Sequence, residues 1–144
     1  MSGTSSVVLL IEPNEDSRHV YADALRDAGF TVVMAPDCAA GRYALAEVTP
    51  QIVIASFNRQ THDECLAFCE RLKADSRTRA IPILLTSETI NGDDLRRATD
   101  ISVLGLSIGQ QDGAKMISAV RGVLAVAEGR ASLSQPESNI SRFA

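Results

Sequence analysis

The stretch Pro50-Gln51-Ile52-Val53-Ile54-Ala55-Ser56-Phe57-Asn58 decides the fold of this chain. Its centre, Ile52–Ala55, is apolar at every position and follows a proline, which is typical of a parallel strand buried on both faces. Ser56 closes this run. In an open parallel sheet, ligands bind in the crevice outside the carboxyl ends of the strands, so Ser56 is the first candidate site residue. A serine hydroxyl still needs neighbouring groups before it can react or help to hold a metal.

Strands and helices alternate along the rest of the chain. Apolar runs predict further strands at Val7–Ile11, Phe30–Ala35, Ile81–Leu85 and Ile101–Leu106. Helical spacing of apolar residues predicts helices over Glu15–Ala28, Cys38–Glu47, Asp63–Ala74 and Leu95–Thr99, and a last helix that Asp112 caps. Connections this short between alternating elements specify an α/β fold, a three-layer α/β/α sandwich around a mainly parallel five-stranded sheet.

Composition limits the classes of function. The chain has 144 residues, a formal charge of -4 and only two lysines, which argues against nucleic acid and against anionic membranes as partners. No secretory signal or membrane span is evident, so we expect a cytoplasmic protein. We expect one domain over residues 1–128 and a poorly ordered Ser-rich tail over 129–144.

The cysteines and histidines do not predict a metal site. Three cysteines, Cys38, Cys65 and Cys69, are an odd number that argues against a disulfide framework and favours a reducing compartment. His62, Cys65 and Cys69 could be drawn as ligands, but a structural zinc site is normally closed by four ligands. We therefore interpret the cysteines as small apolar core residues and predict neither a metal nor a cofactor.

Polar residues follow three of the predicted strands. Glu12 comes directly after Val7–Ile11, Ser56 after the central strand, and Thr86 with Ser87 after Ile81–Leu85. Because the carboxyl ends of parallel strands meet at one edge of the sheet, we expect these side chains to gather in one crevice.

The order and spacing of these strands resemble the receiver domain of bacterial response regulators, from Val7 to about Leu124. The resemblance implies the flavodoxin-like strand order 2-1-3-4-5, for which a receiver is itself a standard example. It also implies a role in two-component signal transduction or a phosphorelay. The family's switch threonine or serine, followed by a small residue, is matched by Thr86-Ser87.

Other positions depart from the family. Its first strand ends in two acids that hold magnesium, whereas the matching residues here are Glu12 and Pro13. Its third strand ends in the aspartate that accepts the phosphoryl group, and here that residue is Ser56. Its fifth strand ends in a lysine, whereas Leu106 and the two residues after it occupy that region here. A crevice without these charges lacks the groups that neutralise a transferring phosphoryl group.

We therefore expect a stand-alone pseudo-receiver that is not an enzyme and that acts through protein–protein contacts without phosphorylation. The family's contact face corresponds to Leu95–Val123, where a signalling protein or a second copy of the chain would bind. Two alternatives stay open. The crevice could bind a small molecule or anion through Ser56, Thr86 and Ser87, or Ser56 or Thr86 could be modified by a kinase. A hydrolase is disfavoured, because His62 is expected on a loop without an orienting acid.

Overall fold

A computed structural model describes residues 6–109 and 111–129 of the chain, so the predicted tail lies outside the described residues except for Gly129. The elements, in chain order, are β1 (Val7–Ile11), α1 (Glu15–Asp27), β2 (Thr31–Ala35), α2 (Cys38–Glu47), β3 (Ile52–Ser56), α3 (His62–Ala74), β4 (Ile83–Ser87), α4 (Gly92–Asp100), β5 (Leu104–Ser107) and α5 (Gly113–Ala127). All neighbouring strands are parallel, in the order β2-β1-β3-β4-β5. The predicted α/β sandwich and its strand order are confirmed.

Apolar side chains cover both faces of the sheet. Successive residues of a strand point to opposite faces, so Ile52 and Ile54 belong to one cluster, with helices α1 and α5, and Val53 and Ala55 to the other, with α2 and α3. All five residues of β3 are buried. The central position of β3 between β1 and β4 therefore explains why its sequence is apolar throughout.

Side-chain caps start three helices where the sequence predicts them. Asn14 accepts a hydrogen bond from Ser17 N at 2.8 Å at the start of α1, and Asp37 accepts one from Ala40 N at 2.8 Å at the start of α2. Asp112 accepts one from Lys115 N at 3.0 Å at the start of α5. These bonds satisfy backbone donors that the first turn of a helix leaves unpaired.

The predicted bounds of α4 and of the two strands beside it, β4 and β5, are wrong. α4 begins at Gly92 rather than Leu95, because Asn91 and Asp94 form a reciprocal capping box that starts the helix earlier. β5 begins at Leu104 rather than Ile101, because Ser102 has a φ of 60° that ends the helix and turns the chain toward the sheet. β4 is shifted in the same direction and runs from Ile83 to Ser87, so Thr86 and Ser87 belong to the strand itself.

Glycine at two positions allows close packing against the sheet. A Cβ at Gly105 would lie 2.9 Å from Leu95 Cδ2 and 3.0 Å from Ile90 Cδ1. A Cβ at Gly41 would lie 2.6 Å from Ile11 Cδ1, which is inside normal van der Waals contact. The helices α4 and α2 can therefore approach the sheet only because these residues lack a side chain.

We expect Gly41→Ala to lower the free energy of unfolding. Overpacking a core costs about 1 to 3 kcal/mol, which outweighs the gain of about 1 kcal/mol that alanine brings to a helix interior. The matched control is Gly92→Ala in α4, where a Cβ meets nothing within 4 Å. Urea unfolding of both variants checks the prediction, and equal midpoints for the two would contradict it.

Within the described ranges, no helix combines the length and the apolar character that crossing a bilayer requires.

Candidate functional site

The ends of β1, β3 and β4 bring three polar side chains into one crevice. In the register of the sheet Ile11 pairs with Ala55, and Ser56 pairs with Thr86. The Ser56 Oγ lies 2.5 Å from the Thr86 Oγ1 in a hydrogen bond, and both side chains are buried. Glu12 follows directly after β1 and lines the same crevice as Ser56. The predicted convergence of Glu12, Ser56 and Thr86 therefore occurs.

Hydrogen bonds hold the polar groups of the crevice in place. Ser56 and Thr86 share one hydrogen bond between their hydroxyls, in which either oxygen can be the donor. Glu12 Oε2 accepts from Asn14 N at 3.0 Å, and Arg18 Nη1 donates to the Glu12 carbonyl at 2.8 Å. Burial is the largest influence on Glu12 and raises its pKa above the usual value. Ser56 is thus held by Thr86, next to a buried carboxyl group.

The crevice is a small cavity of about 140 Å³. Four of the six site residues named from the sequence line it, namely Glu12, Ser56, Thr86 and Ser87. Pro13 and Leu106 do not. Leu106 was placed here from the sequence; it pairs with Thr86 in the sheet, but its side chain is buried in the cluster formed with α1 and α5 and does not reach the cavity wall. Ile108, just beyond β5, lines the cavity at that end.

Neither lysine of the chain lines the crevice. Lys73 Nζ donates to the carbonyls of Arg79 and Ile81, at 3.1 Å each, just before β4 and therefore at the other end of the sheet. Lys115 is exposed on the first turn of α5. Of the crevice-lining side chains, only those of Glu12 and Glu88 carry charge, and both are acidic.

A second cavity, of about 390 Å³, lies beside the crevice and shares Phe57 and Ser87 with it. On its wall His62 Nε2 lies 2.5 Å from Asp94 Oδ1, and His62 Nδ1 lies 2.9 Å from Asp63 Oδ1. The His62 ring also packs edge-on against Phe57, with centroids 5.2 Å apart. The expectation that His62 lies on a loop without an orienting acid is wrong: His62 is the first residue of α3 and is held between two carboxylates.

Asp94, on the wall of this second cavity, was not among the site residues named from the sequence. It is buried, and its Oδ2 accepts from Asn91 N at 3.3 Å within the capping box. The capping box was visible in the sequence as Asn91 followed three residues later by Asp94. The contact between Asp94 and His62 could not be predicted from the sequence, because the two residues are 32 positions apart in the chain.

The stability of the fold should fall as pH rises through the range in which His62 titrates. Its hydrogen bonds to Asp94 and then to Asp63 raise the pKa of His62 above 6.5, so the native state binds the proton more tightly than the unfolded chain. That stabilisation is complete below about pH 6.5 and is lost as pH rises through the raised native pKa.

Urea unfolding at about pH 6 and about pH 8.5 measures this dependence. We expect the wild-type midpoint to fall between the two pH values and the His62→Gln midpoint to change less. His19→Gln, on the exposed side of α1, is the matched control and should keep the wild-type dependence. If the urea midpoint changed by the same amount between the two pH values in the wild type and in His62→Gln, the role given to His62 would be contradicted.

The residues once considered as metal ligands do not converge. Cys65 and Cys69 are buried in the core, whereas His62 contacts Asp63 and Asp94. Among residues 6–109 and 111–129 there is no group of three or more histidine, cysteine or acidic side chains placed to hold a metal ion.

Solved structures similar to this chain are receiver domains. They include the chemotaxis protein CheY4 of Vibrio cholerae, with a TM-score of 0.74 and 16% identity over 83% of this chain and 99% of that one. The signal receiver domain of a signal transduction histidine kinase from Syntrophus aciditrophicus has a TM-score of 0.72 and 17% identity, and the match covers 92% of this chain and 99% of that one. The phosphorylated cyanobacterial phytochrome response regulator RcpA has a TM-score of 0.68 and 20% identity, and the match covers 92% of this chain and 100% of that one.

The fold is therefore that of CheY-like response regulator receiver domains. No family model matches the sequence, and no curated protein matches it. The predicted resemblance to receivers thus holds at the level of the fold, while the charged groups of the crevice differ from those the resemblance implies.

Proposed function

We propose that this chain is an atypical receiver domain that acts in signal transduction through protein–protein contacts and without aspartyl phosphorylation. One observation carries the proposal. The side chain at the end of β3, where the resemblance implies the phosphoryl acceptor, is the hydroxyl of Ser56, which is hydrogen-bonded to Thr86. A neutral hydroxyl group that already has a hydrogen-bond partner therefore stands in place of the acceptor carboxylate.

The charges around Ser56 support the same proposal. Magnesium is usually held by one or two carboxylates together with substrate oxygens and water, and it is dehydrated reluctantly. Glu12 is the carboxylate in contact with Ser56, its pKa is raised by burial, and Pro13 offers no ligand. Phosphoryl transfer also needs cations around the transferring group, and both lysines lie away from the crevice.

Incubation with acetyl phosphate and magnesium should leave the mass of the intact protein unchanged. The control is a receiver domain with an acceptor aspartate, treated in parallel. It should gain a phosphoryl group, which would show that the donor is active. Magnesium-dependent labelling of this chain, on any residue of the crevice, would overturn the proposal that phosphorylation is absent.

The contacts are proposed to form on the face made by α4, β5 and α5, between Leu95 and Val123. Among the strands of residues 6–109 and 111–129, β5 pairs with β4 alone and so lies at the edge of the sheet, and an unpaired strand edge favours association. Partly exposed apolar side chains from three elements flank it: Leu95, Leu104, Ile117 and Val123. The face also carries more cations than acids although the chain is acidic overall, which favours an acidic partner surface or the acidic side of a second copy.

Charge reversal on this face tests the proposal. Arg121 is exposed on α5, and we expect Arg121→Glu to weaken association at least several-fold, in sedimentation of the purified protein and in binding of a partner recovered from native extract. Arg42→Glu, exposed on α2 outside this face, is the matched control and should associate as wild type does. A wild-type protein that stays monomeric and binds no partner would contradict the proposal, as would equal effects of the two variants.

We further propose that the chain is not an enzyme. Both ring nitrogens of His62 are engaged by carboxylates, and Ser56 is hydrogen-bonded to Thr86. The serine of a Ser-His-Asp hydrolase is activated by a histidine, and neither histidine of the chain lines the crevice at Ser56.

Binding of a small polar ligand is the second candidate function, and the size of the cavity beside the crevice favours it. The crevice alone, at about 140 Å³, is smaller than the roughly 300 to 1,000 Å³ of typical ligand sites. The second cavity, at about 390 Å³, falls within that range. A thermal-shift screen of nucleotides, flavins and phosphates tests this candidate: a midpoint that rises with ligand concentration supports it, and unchanged midpoints across the set remove it.

A further inference from the structure

Helix α4 is attached to the rest of the fold by little apolar surface. Two of its nine residues are buried, Asp94 and Ala98, and the first of them is charged. The neighbouring helices α3 and α5 bury five and four residues, all of them apolar. Leu95 is partly buried and lies over Gly105 of β5. Because apolar burial is the main favourable contribution to folding, α4 should open at a lower free energy than the helices beside it.

Charged side chains join α4 to α3 and add to this small apolar contact. His62 Nε2, at the first residue of α3, lies 2.5 Å from Asp94 Oδ1. Further along the two helices, Arg97 Nη2 lies 3.3 Å from Glu70 Oε2, with both of these side chains nearly half exposed. An exposed ion pair contributes little to stability, whereas a buried charge is costly to leave without its partner. The contact between His62 and Asp94, called here the His62–Asp94 pair, is therefore the main polar attachment of α4.

The strength of this pair depends on the proton that His62 carries. Among the described residues, three charged side chains surround the ring: Asp63 of α3 at 2.9 Å, Asp94 of α4, and Arg59 on the wall of the same cavity. The protonated ring donates to both carboxylates, whereas the neutral ring has a single N–H. Hydrogen bonds to Asp94 and then to Asp63 raise the pKa of His62 above 6.5. The attachment is therefore strongest below about pH 6.5 and weakens as pH rises through the raised pKa.

We propose that the His62–Asp94 pair is a proton-dependent attachment that holds α4 in place and thereby controls binding at the face made by α4, β5 and α5. This inference rests on the proposed function, because that face is where the partner is proposed to bind. With His62 protonated, the pair fixes the first turn of α4 and keeps Leu95 over Gly105. When the proton leaves to solvent, the first turn separates from α3 more often and the face loses its shape.

The proposed control needs no change in the crevice. The His62 side chain is 30% exposed, so its proton can exchange with water directly. His62 and Asp94 line the second cavity, whereas Ser56 and Thr86 line the crevice. Loss of the proton therefore acts on α4 without a phosphoryl group, which agrees with the neutral side chain at the end of β3.

Hydrogen exchange of backbone amides, measured on the whole chain at about pH 6 and about pH 8.5, tests the attachment without any partner. The quantity compared is the protection factor, the ratio of the intrinsic to the observed exchange rate. We expect α4 to be less protected than β3 at both pH values, and its protection to be at least several-fold lower at the higher pH. His62→Gln should remove this pH dependence. Glu70→Gln, which breaks only the exposed pair with Arg97, is the matched control and should keep it.

Three results of this experiment would overturn the proposal. The first is equal protection of α4 and β3, which would show that α4 does not open separately. The second is a protection of α4 in the wild type that does not change with pH. The third is the same pH dependence in His62→Gln as in the wild type. If His62→Gln does not fold, Asp94→Asn gives the same decision, because it removes the charge of the pair and keeps the shape of the side chain.

Sedimentation at the same two pH values tests control of the face. Wild-type association should be several-fold weaker at the higher pH, and association of His62→Gln should change less. Association that is independent of pH, in a protein whose α4 opens with pH, would overturn the control of binding. A wild type that neither associates nor binds a partner at either pH would overturn the proposed function instead, and hydrogen exchange would still decide whether the pair holds α4.

Discussion

Ser56→Asp is expected to lower the free energy of unfolding at neutral pH by about 2 to 3 kcal/mol, the equivalent of about two pKa units. The new carboxylate would stand beside Glu12 in a position where the native side chain is only 6% exposed. Two carboxylates in contact cannot both ionise without a penalty, and neither lysine is near enough to offset it. Restoring the acceptor residue type in this crevice should therefore destabilise the fold.

The pH dependence of this variant identifies the cause. The carboxylate pair should take up a proton with a raised pKa, so the loss of stability is present at neutral pH and disappears as pH falls through that raised value. Ser56→Asn has nearly the same shape without the charge and serves as the control. We expect urea midpoints of the two variants to differ at about pH 7 and to converge at about pH 4.

Magnesium gives a second test of the same variant. If Glu12 and the introduced carboxylate can hold the ion, millimolar magnesium should recover part of the lost stability of Ser56→Asp and none of that of Ser56→Asn. The wild type should not respond, because a hydroxyl contributes no charge. A Ser56→Asp variant as stable as Ser56→Asn at neutral pH would contradict the electrostatic account of the crevice.

Asp94→Ala is expected to have the other large effect, a loss of about 2 to 4 kcal/mol in the free energy of unfolding. The buried carboxylate accepts from His62 Nε2 at 2.5 Å and from Asn91 N at 3.3 Å, and it anchors the capping box of α4. Alanine removes all of these acceptors at once. Asp93→Ala, one residue earlier but exposed, is the matched control and should cost far less.

A double-mutant cycle separates the two roles of Asp94. If the bond to His62 contributes, His62→Ala and Asp94→Ala together should cost less than the sum of the single variants, by about 0.5 to 3 kcal/mol. Full additivity would assign the whole effect to the capping box. The cycle should be measured at about pH 6, where the protonated His62 donates from both ring nitrogens.

Local patterns in the sequence determined much of the fold. The apolar run of Ile52–Ala55 and the cap at Asp112 each depend on residues a few positions apart, and the structure bears them out. The strand order came from the resemblance to receivers, and the sheet confirms it. The gathering of Glu12, Ser56 and Thr86 followed from the rule that parallel strands end at one edge.

Tertiary structure alone decided which side chains touch. Leu106 pairs with Thr86, and its burial in the core formed with α1 and α5, rather than on the crevice wall, depends on how these helices pack against the sheet. The contact of His62 with Asp94 joins residues 32 positions apart. Periodicity and capping are short-range, whereas these contacts depend on how whole helices pack on the sheet, so the sequence predicted the scaffold and the fold determined its chemistry.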